Sequence, residues 1–119
     1  MSSQFKNSIA WQKSVELAVS TYRLCQTFPR HERFGLAEQM RRAAVSISSN
    51  IAEGRGRRTA TDYRHFLFQA RGSSYELETQ IEIARRLGYV SDEIAIALTD
   101  QANEVQRLIH GVIRTMNVP

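Results

Sequence analysis

Arginine is the residue type with the most chemistry to offer in this chain. Fourteen arginines stand against two lysines, so the basic character rests on planar guanidinium forks rather than on ammonium point charges. A guanidinium pairs with phosphate or carboxylate through two parallel hydrogen bonds, and it stacks on flat rings. Residues 29–71 hold nine arginines and four acids, while the rest of the chain holds seven bases and eight acids. The whole net charge of +4 therefore arises in the middle segment. A genome that favours arginine codons would give the same count with no function attached. A patch for polyanions is the reading with a mechanism. It takes Arg41, Arg42, Arg55, Arg57, Arg58, Arg64 and Arg71 as contacts to RNA or DNA.

Two spacings sharpen the question. Arg64, Phe68, Arg71 and Tyr75 follow one another at intervals of four, three and four, which puts them on one helix face. Aromatics between arginines can stack bases while the guanidinium groups hold phosphates. The same stripe serves equally as a subunit contact. That use is favoured, because two bulky exposed rings need burial more often than they need RNA. A polar stripe, Gln39, Arg42, Ser46, Asn50 and Glu53, runs beside the apolar residues of the preceding segment. Arg42 and Glu53 are too far apart on one helix to pair, so each wants a partner elsewhere. The stripe is either a buried network that specifies packing or a binding surface.

Groupings for catalysis are missing. No Glu is followed by His at the spacing of a di-metal bundle, and His31-Glu32 lacks the second His of a zincin helix. The three histidines are scattered and are expected at the surface. Cys25 lies on an expected core face, where a thiol is inert. GRGRR lacks both the Gly-Lys-Ser/Thr end and the preceding strand of a phosphate-binding loop. Glu76, Glu78 and Glu82 spread around their helix without an obvious basic partner. The expectation is no catalytic residue, no metal and no cofactor.

Helices must position these residues. Pro occurs only at 29 and 119, and the glycines punctuate. The periodicity predicts helices over about 9–28, 33–53, 60–87 and 92–117, with no strands. Ser8 is the first cap, Thr59 or Thr61 the third, and Ser91 the fourth. Trp11, Val15, Ala18, Tyr22 and Cys25 give helix one a seam at four-three spacing. Helix two has Leu36, Met40, Ala43, Ile47 and then Asn50 or Ile51, and Gly54 is expected to end it in a left-handed conformation. Helix three has Tyr63, Phe66, Leu67, Ala70, Ser74, Leu77, Ile81 and Ala84, with Gly88 as its stop. Helix four has Ile94, Leu98, Ala102, Val105, Ile109, Val112 and Met116. Short loops make neighbours antiparallel, so the fold class is an all-α up-down antiparallel four-helix bundle in a single domain. The chain has 119 residues, a single cysteine and no apolar leader or spanning stretch, which suits the cytoplasm and no membrane.

Some apolar residues fall outside these seams. Leu17 and Leu24 lie off the helix-one seam, Phe68 and Tyr75 off the helix-three seam, and Gly72 nearly opposite it. Glycine inside a helix costs about 1 kcal/mol relative to alanine. Another backbone packed on that face would compensate. These five residues are the expected surface for self-association.

The stretch FPRHERFGLAEQMRRAAVSISSNIAEGRGR resembles the signature of the bacterial four-helix bundle family of 23S rRNA intervening-sequence proteins. ARGSSYELETQIEIARRLGYV is similar to that family's second block, and Trp11 fits as well. The positions that match are Gln39, Arg42, Ser46, Asn50, Ala52, Glu53, Gly54, Gly72, Ser73 and Glu76. The resemblance implies a cytoplasmic ring, typically a homopentamer, with no established activity and no catalytic residues. The group is also similar to accessory proteins of diversity-generating retroelements, which are thought to bring nucleic acid to a reverse transcriptase. The expectation is a non-enzymatic oligomer that binds nucleic acid, or else a protein-assembly module without that binding.

Overall fold

Ser8, Thr59 and Ser91 each accept a hydrogen bond from the backbone amide three residues on, at 3.1–3.2 Å. These side chains satisfy amides that a helix start leaves without partners. They open three of the four helices in the computed structural model, which describes residues 4–116. The helices are α1 (Ile9–Cys25), α2 (Leu36–Arg55), α3 (Ala60–Arg86) and α4 (Asp92–Thr115). The predicted end of the last helix, at residue 117, lies outside the described residues.

Two boundaries differ from expectation. α1 stops at Cys25 rather than 28, because Pro29 disfavours the helical conformation at Phe28 and the chain tightens into three-residue turns there. α2 starts at Leu36 rather than 33. A 3-10 turn at Arg30–Glu32 comes first, and Glu32 Oε1 then caps the helix by accepting from Leu36 N at 3.1 Å. The stop at Gly88 is as expected. Its φ is +78°, Tyr89 N donates to Ala84 O, and Gly88 N donates to Arg85 O, both at 3.0 Å. This pattern satisfies carbonyls at a helix C-terminus.

α1 packs on α2 and α4, and α3 packs on the same two, which gives a four-helix bundle. Hydrogen bonds record the antiparallel register: Ser46 meets Ser73 across α2 and α3, and Gln106 meets Glu78 across α3 and α4. The α2 and α3 cores follow the predicted seams closely, and α4 does so from Leu98 to Ile109, but its first turn buries Ala95 and leaves the expected Ile94 exposed. Met40, Ile47, Ile51, Leu67, Leu77, Ile81 and Ile109 are fully buried.

α1 is rotated from the predicted seam. Leu17 is 0% exposed and Leu24 is 9% exposed, so both belong to the core and not to an outer contact surface. The buried stripe is Ala10, Ser14, Leu17, Thr21 and Leu24, while Tyr22 is 46% exposed. Two members of this stripe are polar. Ser14 donates to Trp11 O at 2.7 Å and Thr21 to Leu17 O at 2.8 Å. A buried hydroxyl that bonds its own helix leaves no unsatisfied donor. A search for apolar spacing passes over such positions and settles on the neighbouring stripe.

Gly54 does not end α2 in a left-handed turn. It lies within the helix, buried, and Gly56 follows as the cap with φ −82°. A Cβ on Gly54 would stand 2.8 Å from Phe66 Cβ and 2.9 Å from Tyr63 Cδ1. The glycine is needed so that α2 and α3 can close on each other.

Candidate functional site

The expected basic segment from Arg41 to Arg71 is not one surface. A helix rises 1.5 Å per residue, so Arg42 and Arg55 are separated by ~20 Å along α2. Dividing each helix at its midpoint separates a turn end, around the α2–α3 turn, from a loop end that holds the other two connections. The turn end (residues 4–17, 46–73 and 104–116) has nine bases and four acids. The loop end (18–45 and 74–103) has seven bases and eight acids.

At the turn end, Arg55 lies over the Tyr63 ring at 5.8 Å and Arg57 over Phe66 at 4.6 Å. Arg57 also pairs with Glu53 at 2.9 Å. Arg58 is exposed, and Arg64 is half-buried one turn before Phe68. Arg71 stacks on Phe68 at 4.9 Å. Arg41 and Arg42 are at the loop end. Arg41 donates to Arg33 O at 3.0 Å and reaches the Tyr22 ring, and Arg42 pairs with Glu38 at 3.2 Å.

The polar stripe of α2 divides in the same way. Ser46 and Asn50 join Ser73 in a half-buried cluster: Ser46 Oγ is 2.9 Å from Ser73 Oγ, and Asn50 Nδ2 donates to Ser46 Oγ at 3.0 Å. That part is a packing network between α2 and α3. Gln39, Arg42, Glu53 and Glu76 are exposed and do not converge on it. The partners that Arg42 and Glu53 require are one helical turn away, at Glu38 and Arg57. Of the five residues expected to mediate self-association, Phe68, Gly72 and Tyr75 are exposed, and nothing stands within 4 Å of a Cβ placed on Gly72.

Sequence reasoning missed the contribution of α4. Arg107, His110 and Arg114 are spaced three and four apart, so they share a face, and that spacing was the available signal. Antiparallel packing brings them beside Arg71 and Tyr75 in a groove of about 500 Å³ between α3 and α4. Asn103 and Gln106 also line it, and no carboxylate does.

The loop end is cross-linked instead. Tyr89 OH donates to Glu32 Oε2 at 2.8 Å, and His31 Nε2 lies 3.3 Å from the same hydroxyl. The bond from Leu36 N, followed by that from Tyr89, holds the Glu32 carboxyl below its ordinary range, and the Glu32 bond raises Tyr89. Glu82 has the basic partners that the sequence did not make obvious. Arg85 and Arg86 both donate to it at 2.8 Å, and together they lower its pKa to about 2. A carboxylate held ionised in this way is a poor general acid. Arg85 continues to Asp92 at 3.3 Å, tying α3 to the start of α4. Cys25 is buried, and desolvation raises its thiol pKa against the pull of Arg41. No helix among the described residues is long and apolar enough to cross a membrane.

A comparison with curated proteins finds no match. Among solved structures, the chain is similar to a crystal structure of a protein of unknown function from the S23 ribosomal protein family of Bacteroides thetaiotaomicron VPI-5482. The two share a TM-score of 0.83 and 24% identity, over 89% of this chain and 99% of that one. At that identity the likeness speaks for the fold alone. The family model for 23S rRNA-intervening sequence proteins matches residues 6–111. The chain belongs to the 23S rRNA-intervening sequence protein family.

Proposed function

We propose that the protein is a non-enzymatic, self-associating bundle that binds RNA in the cytoplasm through its arginine-rich turn end. The observation that carries this reading is the contrast of nine bases and four acids at the turn end with seven and eight at the loop end. Clustered arginines beside exposed aromatics suit a phosphate backbone with unstacked bases. Self-association uses the outer stripe of α3, where Phe68 and Gly72 continue to the exposed Ile83 and Leu87, while Tyr75 lines the groove between α3 and α4. A closed ring, with five subunits as the expected number, then repeats the basic end around an axis.

The test is binding of labelled structured RNA at increasing salt, with light scattering on the same sample. If six to ten arginines of a ring meet phosphates, affinity falls roughly 10³–10⁵-fold between 50 and 200 mM salt. Flat salt dependence, or no binding at low salt, overturns the RNA reading. A monomer at micromolar concentration overturns the ring.

A second reading, an assembly module that binds only protein, rests on the same exposed α3 stripe. Under it, replacing Arg55, Arg57 and Arg58 by Ser leaves partner binding unchanged.

A further inference from the structure

We propose that the α3–α4 groove is a track for single-stranded RNA, with Arg71, Arg107 and Arg114 on the phosphates and Tyr75 as a base platform. This rests on the RNA reading above and names the site and the form of the ligand.

Four cationic or polar nitrogen side chains converge there from two helices: Arg71 from α3, and Arg107, His110 and Arg114 from α4. Arg71, Arg107 and Arg114 form no ion pair among the described residues, whereas Arg85 and Arg86 at the other end of α3 are both tied to Glu82. Guanidinium groups without carboxylates are the ones able to exchange counterions for phosphate. Tyr75 is 49% exposed beside them, so a ring face is open to a base. Asn103 and Gln106 also line it; Asn103 carries an amide donor and acceptor suited to base edges, while the Gln106 amide donates to Glu78.

The groove has a direction. Past Tyr75 it continues between the same helices, but its walls become Glu78, Glu82, Ile83 and Arg86, the last tied to Glu82 at 2.8 Å. Gln106 Nε2 bonds Glu78 Oε1 at 2.9 Å, marking the crossover. Phosphates are repelled beyond that point, so the track runs from the turn end and stops near mid-bundle. From Asn103 to Arg114 the helix rises ~16 Å, which matches roughly five nucleotides at the stacked spacing of 3.4 Å. An A-form duplex is recognised across its wide minor groove and its phosphates, and its paired bases cannot reach Tyr75. The ligand is therefore a single strand.

The test uses the full chain with a fluorescent 12-nucleotide oligouridine and an RNA duplex of equal length, read by anisotropy in 0.15 M salt. Circular dichroism and light scattering accompany each variant. The wild type is expected to favour the single strand. R107S/R114S should weaken it by roughly thirtyfold, R107K/R114K should retain most of the affinity, and Y75A should weaken it about tenfold with the particle mass unchanged. Wild-type affinity in R107S/R114S alongside loss in R55S/R57S/R58S overturns the groove but leaves the RNA reading standing. Loss confined to R30S/R33S/R41S does the same and moves the site to the loop end. No RNA binding by the wild type overturns both. Binding of fluorescent polyglutamate by the wild type but not by R107S/R114S, without RNA binding, makes the groove a protein-docking site and overturns the track. A Y75A protein that dissociates makes Tyr75 a subunit contact and overturns its role as platform.

Discussion

The two ends of the bundle differ most in how the charges of α3 and α4 are held. At the loop end, Glu82 gathers Arg85 and Arg86, Arg85 reaches on to Asp92, and Tyr89 bonds Glu32. These charges close connections between helices, whereas Arg33 and Arg41 at the same end lie on the Phe34 and Tyr22 rings and form no ion pair among the described residues. At the turn end, Arg58, Arg107 and Arg114 form no ion pair among the described residues, and Arg55 and Arg71 lie on aromatic rings. Exposed ion pairs contribute little to stability, so the paired end is not much the stronger for its salt bridges. What differs is availability: an arginine already tied to a carboxylate has less to gain from a phosphate than one resting on a ring. Net charge alone would rank the two ends. Pairing sharpens that ranking along α3 and α4, where Arg85 and Arg86 are tied to Glu82 while Arg71, Arg107 and Arg114 form no ion pair among the described residues.

The largest expected effect tests that contrast directly. R55S/R57S/R58S should lower affinity for RNA by roughly a hundredfold in 0.15 M salt if all three meet phosphate, and R42S/R85S/R86S should change it only slightly. Equal losses from both triples, measured by anisotropy, would reduce the contrast to net charge.

Next in size is a pair of glycine variants at the turn end. G54A forces a Cβ against Phe66 and Tyr63, and overpacking of this kind costs about 1–3 kcal/mol in urea unfolding. G72A meets open space and should stabilise an isolated bundle by about 1 kcal/mol. If Gly72 lies under a second copy, G72A instead weakens the oligomer, which light scattering reads.

The smallest effect concerns the loop-end latch. Y89F should lower the thermal midpoint modestly at neutral pH. Glu32 is lowered in the fold, so its contribution is present above its unfolded pKa and is lost as acid protonates it. Tyr89 is raised, so its contribution is present below its unfolded pKa and is lost as base ionises it. The difference between Y89F and wild type should therefore be a plateau at intermediate pH that shrinks on both sides. A pH-independent difference would mean that Tyr89 acts through its ring contact with Phe28.

Much of the candidate site was legible before any fold. Arg55, Arg57, Arg58 and Arg71 stand close in sequence, and the helical spacing of Arg64, Phe68, Arg71 and Tyr75 is a local property. Arg107 and Arg114 were not legible as part of it. They lie 36 and 43 residues beyond Arg71, and only the α3–α4 register places them alongside. For the same reason Arg41 and Arg42 looked like neighbours of a patch that a rigid helix carries away from them.

The four helices, their serine and threonine caps, the stop at Gly88 and the core faces of α2, α3 and of α4 from Leu98 to Ile109 were determined by the sequence itself. Each depends on interactions within a few residues or on an unambiguous apolar period. The rotation of α1 was decided by tertiary structure, because Ser14 and Thr21 satisfy their own hydroxyls and can be buried while Tyr22 is left outside. Gly54 took its meaning from the approach of a second helix. The basic groove likewise exists only where two antiparallel helices meet, since no local interaction along one chain segment can specify which distant side chains it will face.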